Sequence, residues 1–334
     1  NVVGAGAIVT DNLYQEYQYP AKLITNLYQG NISYAFDKAR SIRFSSALRT
    51  DNLVVSNVDE LSSASDNLKS YYLQNHLEYV YDNCLNRANN IWDGLRYKAY
   101  IDFNREINNK RSALGANTYN FGFEARYYYP IYRNFIWAGR AAADVSWGDQ
   151  KLIYYLGGVD GWLMFGDNVK PGTNRERFFN SRNVPDGDQS YAFQSLAVNM
   201  RGFIQNAANG NNAIVMNSEF RLPVVSTFFD KTVNNTFLRD LQLTQFIDIG
   251  TAWNGAYDKW KRPENTYNSP DNFGNNGAVT ITQKAGGIGP FLVGYGFGAR
   301  STLFGYFLKY DVGWPMIGFF KGRPVMYLSM GLDF

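Results

Sequence analysis

Few residues in this chain could carry out covalent or metal chemistry. Its 334 residues include one histidine, His76, and one cysteine, Cys84. A disulfide lacks its second cysteine, and a Cys/His zinc centre lacks ligands. A Ser-His-Asp relay would rest on His76 alone. By parity His76 shares a face with Glu78 and Asp82, but no nucleophile motif accompanies it, so it reads as a structural histidine. Cys84 reads as a small residue near a strand end. Gly294, Gly296 and Gly298 recur at every second position without the following helix that a phosphate loop needs. They read as room for a packed segment or a bend. The Asp/Asn/Gly-rich stretches 166–190 and 254–288 lack the spacing of a calcium loop and read as external loop. No metal, cofactor or enzymatic activity is expected. What remains is the pairing chemistry of arginines and carboxylates: an arginine taken out of water on a long loop must find a carboxylate.

The elements that position such groups are strands. No apolar run approaches the ~18–20 residues that a spanning helix needs, and the mean hydropathy is −0.34. Yet alternate residues are apolar along most of the chain. At the C-terminus Met326, Leu328, Met330, Leu332 and Phe334 alternate with Tyr327, Ser329, Gly331 and Asp333. Upstream, Tyr306, Leu308, Tyr310, Val312 and Trp314 alternate with Lys309, Asp311 and glycines. The same period continues through 291–300, 214–222, 135–147, 119–129, 95–104, 73–82 and 42–49, with another strand over 238–253 and shorter candidates near 1–9 and 22–36. About twelve strands result, most of them longer than the ~5–6 residues usual in soluble sheets.

The two faces differ in kind. The polar face carries opposite charges close together: Lys309 with Asp311, Arg140 with Asp144, Arg126 with Glu124. That suits a crowded aqueous lumen more than the Lys/Glu-rich outer face of a soluble sandwich. The apolar face concentrates Tyr and Trp near strand ends, as aromatic girdles do at membrane interfaces. Tight turns at 37–40, 130–134 and 303–305 alternate with long connections at 56–69, 106–117, 148–211, 254–288 and 315–323; the stretch 225–237 is long for its side. The expected fold is all-β, a transmembrane antiparallel barrel with short turns and the C-terminus on the periplasmic side. A net charge of +3 gives no sign of a nucleic-acid partner.

Four segments, in order, carry an identity. They are Met200-Arg201-Gly202-Phe203 on the 148–211 loop, Glu219-Phe220-Arg221-Leu222-Pro223, Phe246-Ile247-Asp248-Ile249-Gly250, and the closing strands from Gly294 to Phe334. Together they resemble the C-terminal barrel of the Omp85 superfamily, also called bacterial surface antigen D15. The resemblance is close over roughly 130–334, with Met200 in the place of the family's Val or Ile. It implies that 148–211 is the family's loop 6 and tucks into the lumen. There Arg201 pairs with Asp248, with Glu219 as a second acceptor. Tyr327, Met330, Leu332 and Phe334 resemble the assembly signal read by the outer-membrane insertion machinery. The family has sixteen strands and periplasmic POTRA repeats, so 1–334 is expected to be an Omp85-type barrel forming the C-terminal part of a longer chain, with up to four strands upstream of Asn1. The implied function is insertion or translocation of proteins at the outer membrane of a Gram-negative bacterium. The implied partners are the bilayer, the assembly machinery, and client or accessory envelope proteins. A passive anchor for another domain and a plugged solute channel remain as alternatives.

Overall fold

The computed structural model describes residues 4–10, 16–55, 68–107, 117–165, 176–185, 191–229, 233–256, 264–268, 280–284, 287–288, 291–316 and 322–332. Period-two apolar patterning becomes strand along most of its length; at 238–240 the chain is still in helix and turn, so the strand expected from 238 begins at Gln242, and the last strand ends at Met330. Twelve strands pair in one continuous path: β1 (Gly4–Thr10), β2 (Glu16–Ala35), β3 (Arg40–Val55), β4 (Leu68–Asp82), β5 (Ile91–Glu106), β6 (Asn117–Tyr132), β7 (Phe135–Gly148), β8 (Asn212–Pro223), β9 (Gln242–Trp253), β10 (Phe291–Leu303), β11 (Tyr306–Pro315) and β12 (Val325–Met330). Each pairs antiparallel with its sequence neighbours. Among the described residues no ladder joins β1 to β12.

Turn chemistry fixes the register at one end. Phe304 and Gly305, with φ of 51° and 83°, make a two-residue connection between β10 and β11. Positive φ at both central positions is the hairpin turn whose twist matches the strands. Between β2 and β3 the Asp37 carboxylate accepts the amides of Ala39 (2.8 Å) and Arg40 (2.7 Å), replacing backbone partners in the turn. The β8–β9 connection holds two short helices, α1 (Val224–Phe228) and α2 (Thr236–Arg239), the second capped by Asn235. The β4–β5 connection adds a short strand, Leu85–Ala88, folded back on β5. It reaches distant strands: the Asn90 carbonyl accepts from Arg221 of β8 at 3.1 Å, and the Asn89 carbonyl from Gln242 of β9 at 2.6 Å. Such contact across the intervening β6 and β7 requires the sheet to curl, polar face inward.

The long connections lie at the opposite end. The β7–β8 connection, labelled loop 6 after the expectation from sequence, contains its own three-stranded sheet, with Lys151–Leu156 between Tyr191–Val198 and Ala208–Gly210. A hydrophobic cluster welds this loop to the polar face. Tyr154, Leu156, Met200, Phe203 and Ala208 pack with Ala142 of β7, Ala213 and Val215 of β8, and Leu292 of β10. The opposite face bears large exposed side chains, among them Met216, Phe220, Leu243, Phe297, Tyr310 and Met326.

Candidate functional site

Strand parity builds the site. Glu219 on β8 and Asp248 on β9 lie on the polar face, and register sets Asn217 opposite Asp248 and Glu219 opposite Phe246. Arg300 on β10 and Asp311 on β11 continue the same face. Above them Met200 to Phe203 descend in a turn held by two backbone bonds of 3.0 Å, Met200 N–H to the Gly158 carbonyl and Gly158 N–H to the Phe203 carbonyl.

Arg201 fills the centre. Its Nε donates to Asp248 Oδ2 at 2.9 Å and its Nη2 to Asp248 Oδ1 at 2.9 Å, a two-pronged pair. Its backbone N–H donates to the same carboxylate at 2.8 Å. Nη1 reaches Glu219 Oε2 at 2.5 Å. The guanidinium carbon stands 3.7 Å from the centre of the Phe246 ring, so its flat face is covered while its edges are paired. Arg201 is 4% exposed, and Glu219 and Asp248 are 0% exposed. Glu219 is shared further, accepting from Arg221 Nε at 2.6 Å and Arg300 Nη2 at 2.6 Å. Asp311 Oδ1 lies 3.9 Å from both Arg201 and Arg300.

Close approach of the loop depends on absent side chains. A Cβ on Gly294 would sit 1.8 Å from the Arg201 carbonyl oxygen, and one on Gly313 would sit 2.6 Å from the Gly202 nitrogen. Gly202 itself has φ of 94°, with the Trp314 carbonyl oxygen 2.8 Å from where a Cβ would stand. The glycines of β10 and β11 thus form a smooth wall for the loop. Phe203 is tied to β12, whose Tyr327 hydroxyl donates to the Phe203 carbonyl at 2.7 Å. On the loop's other flank, Asn217 Nδ2 donates to the Asn199 carbonyl at 2.9 Å.

The structure therefore brings together Met200, Arg201, Gly202, Phe203, Glu219, Asp248 and Tyr327. Tyr327 faces inward against loop 6, whereas Met330 and Leu332 are exposed; Phe334 lies outside the described residues. Arg221, Arg300 and Asp311 join the cluster; the sequence named Arg221 within the Glu219–Pro223 segment and Asp311 as a partner of Lys309, and parity on the polar face was the signal for their place beside Arg201. Arg140 bonds Glu124 at 3.0 Å, while Asp144 accepts from the Tyr100 hydroxyl at 2.7 Å, a different partnering from the one sequence proximity suggests. His76 bonds Asp102 across the β4–β5 ladder rather than Asp82. Among the described residues no group of three or more metal-ligating side chains assembles.

No family model matches the sequence, and no curated protein matches it. Solved structures do match the fold. The crystal structure of BamA from Haemophilus ducreyi lacking POTRA domains 1–3 aligns with a TM-score of 0.51 at 12% identity, over 94% of this chain and 54% of that one. CdiB from Escherichia coli aligns with a TM-score of 0.50 at 12% identity, over 98% of this chain and 48% of that one. The chain spans about half the length of each. An antiparallel path of twelve strands, aligned over nearly the whole chain with both, gives this protein the fold of BamA and CdiB.

Proposed function

We propose that the chain is an outer-membrane barrel of Omp85 type that helps insert or translocate proteins, with loop 6 held in its lumen by Arg201. Membrane residence is supported by the outward face. Met216, Leu243, Phe297, Tyr310 and Met326 are exposed on successive strands, an apolar face of the kind that marks a membrane or partner surface. Strands of 10 to 16 residues from β3 to β11 reach or exceed the ~9–11 residues that a spanning strand needs. The C-terminus, on the tight-turn side, is assigned to the periplasm, and exposed Met330 and Leu332 to recognition by the assembly machinery.

The observation that carries the reading is the buried Arg201 lock. A loop clamped by two carboxylates and a glycine wall favours a closed barrel over a diffusion pore. It leaves the outer edge of β12 as the working surface. An edge strand presents unpaired N–H and C=O groups, and a client strand can add to it by β-augmentation. The protein reconstituted in liposomes should speed folding of an unfolded outer-membrane protein, read as heat-modifiable gel mobility. A rate equal to that of empty liposomes would sink the assembly reading and leave a passive anchor.

A further inference from the structure

The outer edge of β12 is already occupied. In β12 the N–H of Gly331 points to β11, bonding the Phe307 carbonyl at 3.2 Å. The backbone groups of Leu328 and Met330 therefore point the other way, toward the edge. Loop 6 bonds them: Leu163 N–H donates to the Leu328 carbonyl at 2.7 Å, and Met330 N–H donates to the Gly161 carbonyl at 3.1 Å. Trp162 and Ser329 form an antiparallel bridge between these bonds. Residues 161–163 thus stand in the place of the next strand.

The segment is built for that place. Gly161 has φ of 65°, and a Cβ there would lie 2.3 Å from the Met330 carbonyl oxygen. The Trp162 ring packs on Tyr327 with centroids 4.8 Å apart and edge-on against Phe178 of the same loop at 5.2 Å. Tyr327 in turn holds the Phe203 carbonyl. One side chain therefore ties the edge contact to the turn that carries Arg201.

We propose that Gly161–Trp162–Leu163 is an internal latch strand that caps the turn-end half of the β12 edge and must leave before another strand can pair there. The strand that closes the barrel and a client strand would compete for the same Leu328 and Met330 groups. The latch makes release of loop 6 and exposure of that edge a single event. Its gating role rests on the edge-pairing reading above; the pairing of the latch itself does not.

A cysteine pair tests it. Trp162 and Ser329 are a non-hydrogen-bonded pair, for which Cα atoms stand ~4.5 Å apart, within disulfide reach. In a Cys84→Ala background, Trp162→Cys with Ser329→Cys should crosslink in the membrane as readily as the neighbouring-strand control Tyr310→Cys with Leu328→Cys. Adding Gly161→Val should slow the first crosslink at least tenfold and leave the control unchanged. In the liposome assay the oxidised latch should fold clients at least fivefold more slowly than the same protein after reduction. No crosslink where the control forms, or crosslinking indifferent to Gly161→Val, would overturn the latch while leaving the barrel reading intact. Equal activity of oxidised and reduced latch would overturn its gating role. Because the aromatic ring is lost in the cysteine variant, amide exchange at Leu163 and Met330 gives a second measure. Slow exchange in wild type and fast exchange in Gly161→Val support the latch, and fast exchange in both refutes it.

Discussion

Strands β2 to β4 and strands β8 to β12 obey the same alternating code and end in different chemistry. Along β2 the described side chains from Ile24 to Ala35 are exposed on both faces. On the polar face of β3 to β5, Arg43 reaches Glu78 at 3.4 Å and Lys98 reaches it at 3.9 Å, with the first two side chains 55% and 12% exposed. His76 bonds Asp102 with its side chain 36% exposed. On β8 to β11 the same residue types are covered by loop 6 and are nearly all inaccessible. Charge pairs open to solvent contribute ~0–1 kcal/mol. A buried charge that loses its partner costs ~3–5 kcal/mol. Cover, more than residue type, decides which charges matter.

The largest expected effect is at Asp248. Asp248→Ala strips Arg201 of its two-pronged partner and its backbone N–H of an acceptor, while Glu219 is already shared with Arg221 and Arg300. A loss of ~3–5 kcal/mol is predicted in urea unfolding from lipid vesicles. A loss under 1 kcal/mol, on the scale of an exposed pair, would erase the contrast between the two regions.

Gly294→Val should follow. The added side chain collides with the Arg201 carbonyl and must lift the loop, at a cost of ~1–3 kcal/mol. Limited proteolysis should then cut loop 6 faster than in wild type; unchanged cutting would mean that the glycine wall does not position the loop.

A pH effect is expected between these extremes, at the tight-turn end. Burial pushes the Asp240 carboxyl up, but bonds donated by Thr302, Asn89 and Arg239 outweigh it and hold it below the usual carboxylate value. Its contribution is therefore complete above the unfolded value of ~3.9 and is lost as pH falls through the lower folded one. Amide exchange in the 83–90 connection should accelerate below that range in wild type, beyond the intrinsic change. In Asp240→Asn it should show no such step.

The smallest effect is predicted at His76. His76→Ala removes an accessible pair and should change stability by less than ~1 kcal/mol. A loss equal to that at Asp248 would show that β2 to β4 are covered as tightly as β8 to β12.

Much of the fold was legible because a strand's period is local. Leu243, Ile247 and Ile249 announce one face of β9, and Thr244, Phe246 and Asp248 the other. The strand count and the alternation of tight and long connections follow from the same signal. Partnership across the sheet is not local. Arg140 and Asp144 share a strand and a face, yet each finds its partner on another strand, Glu124 and Tyr100. The Asn89 and Asn90 contacts with β8 and β9 depend on curvature that no short window encodes. The latch at Gly161 left no periodic trace, since three residues cannot show a period of two. Gly294, Gly296 and Gly298 did leave one: three successive inward glycines mark where something comes close, the Arg201 carbonyl at Gly294 and backbone and side-chain atoms of neighbouring strands at the other two.

The central claim, under the proposed function, is that Arg201 holds loop 6 in the lumen and keeps the lumen shut to solutes. Planar-bilayer conductance of wild type and Arg201→Ala tests it most directly. Wild type should be nearly silent, and the variant should show frequent large openings as the freed loop leaves the lumen. Identical conductance in the two, whether silent or open, would contradict the account.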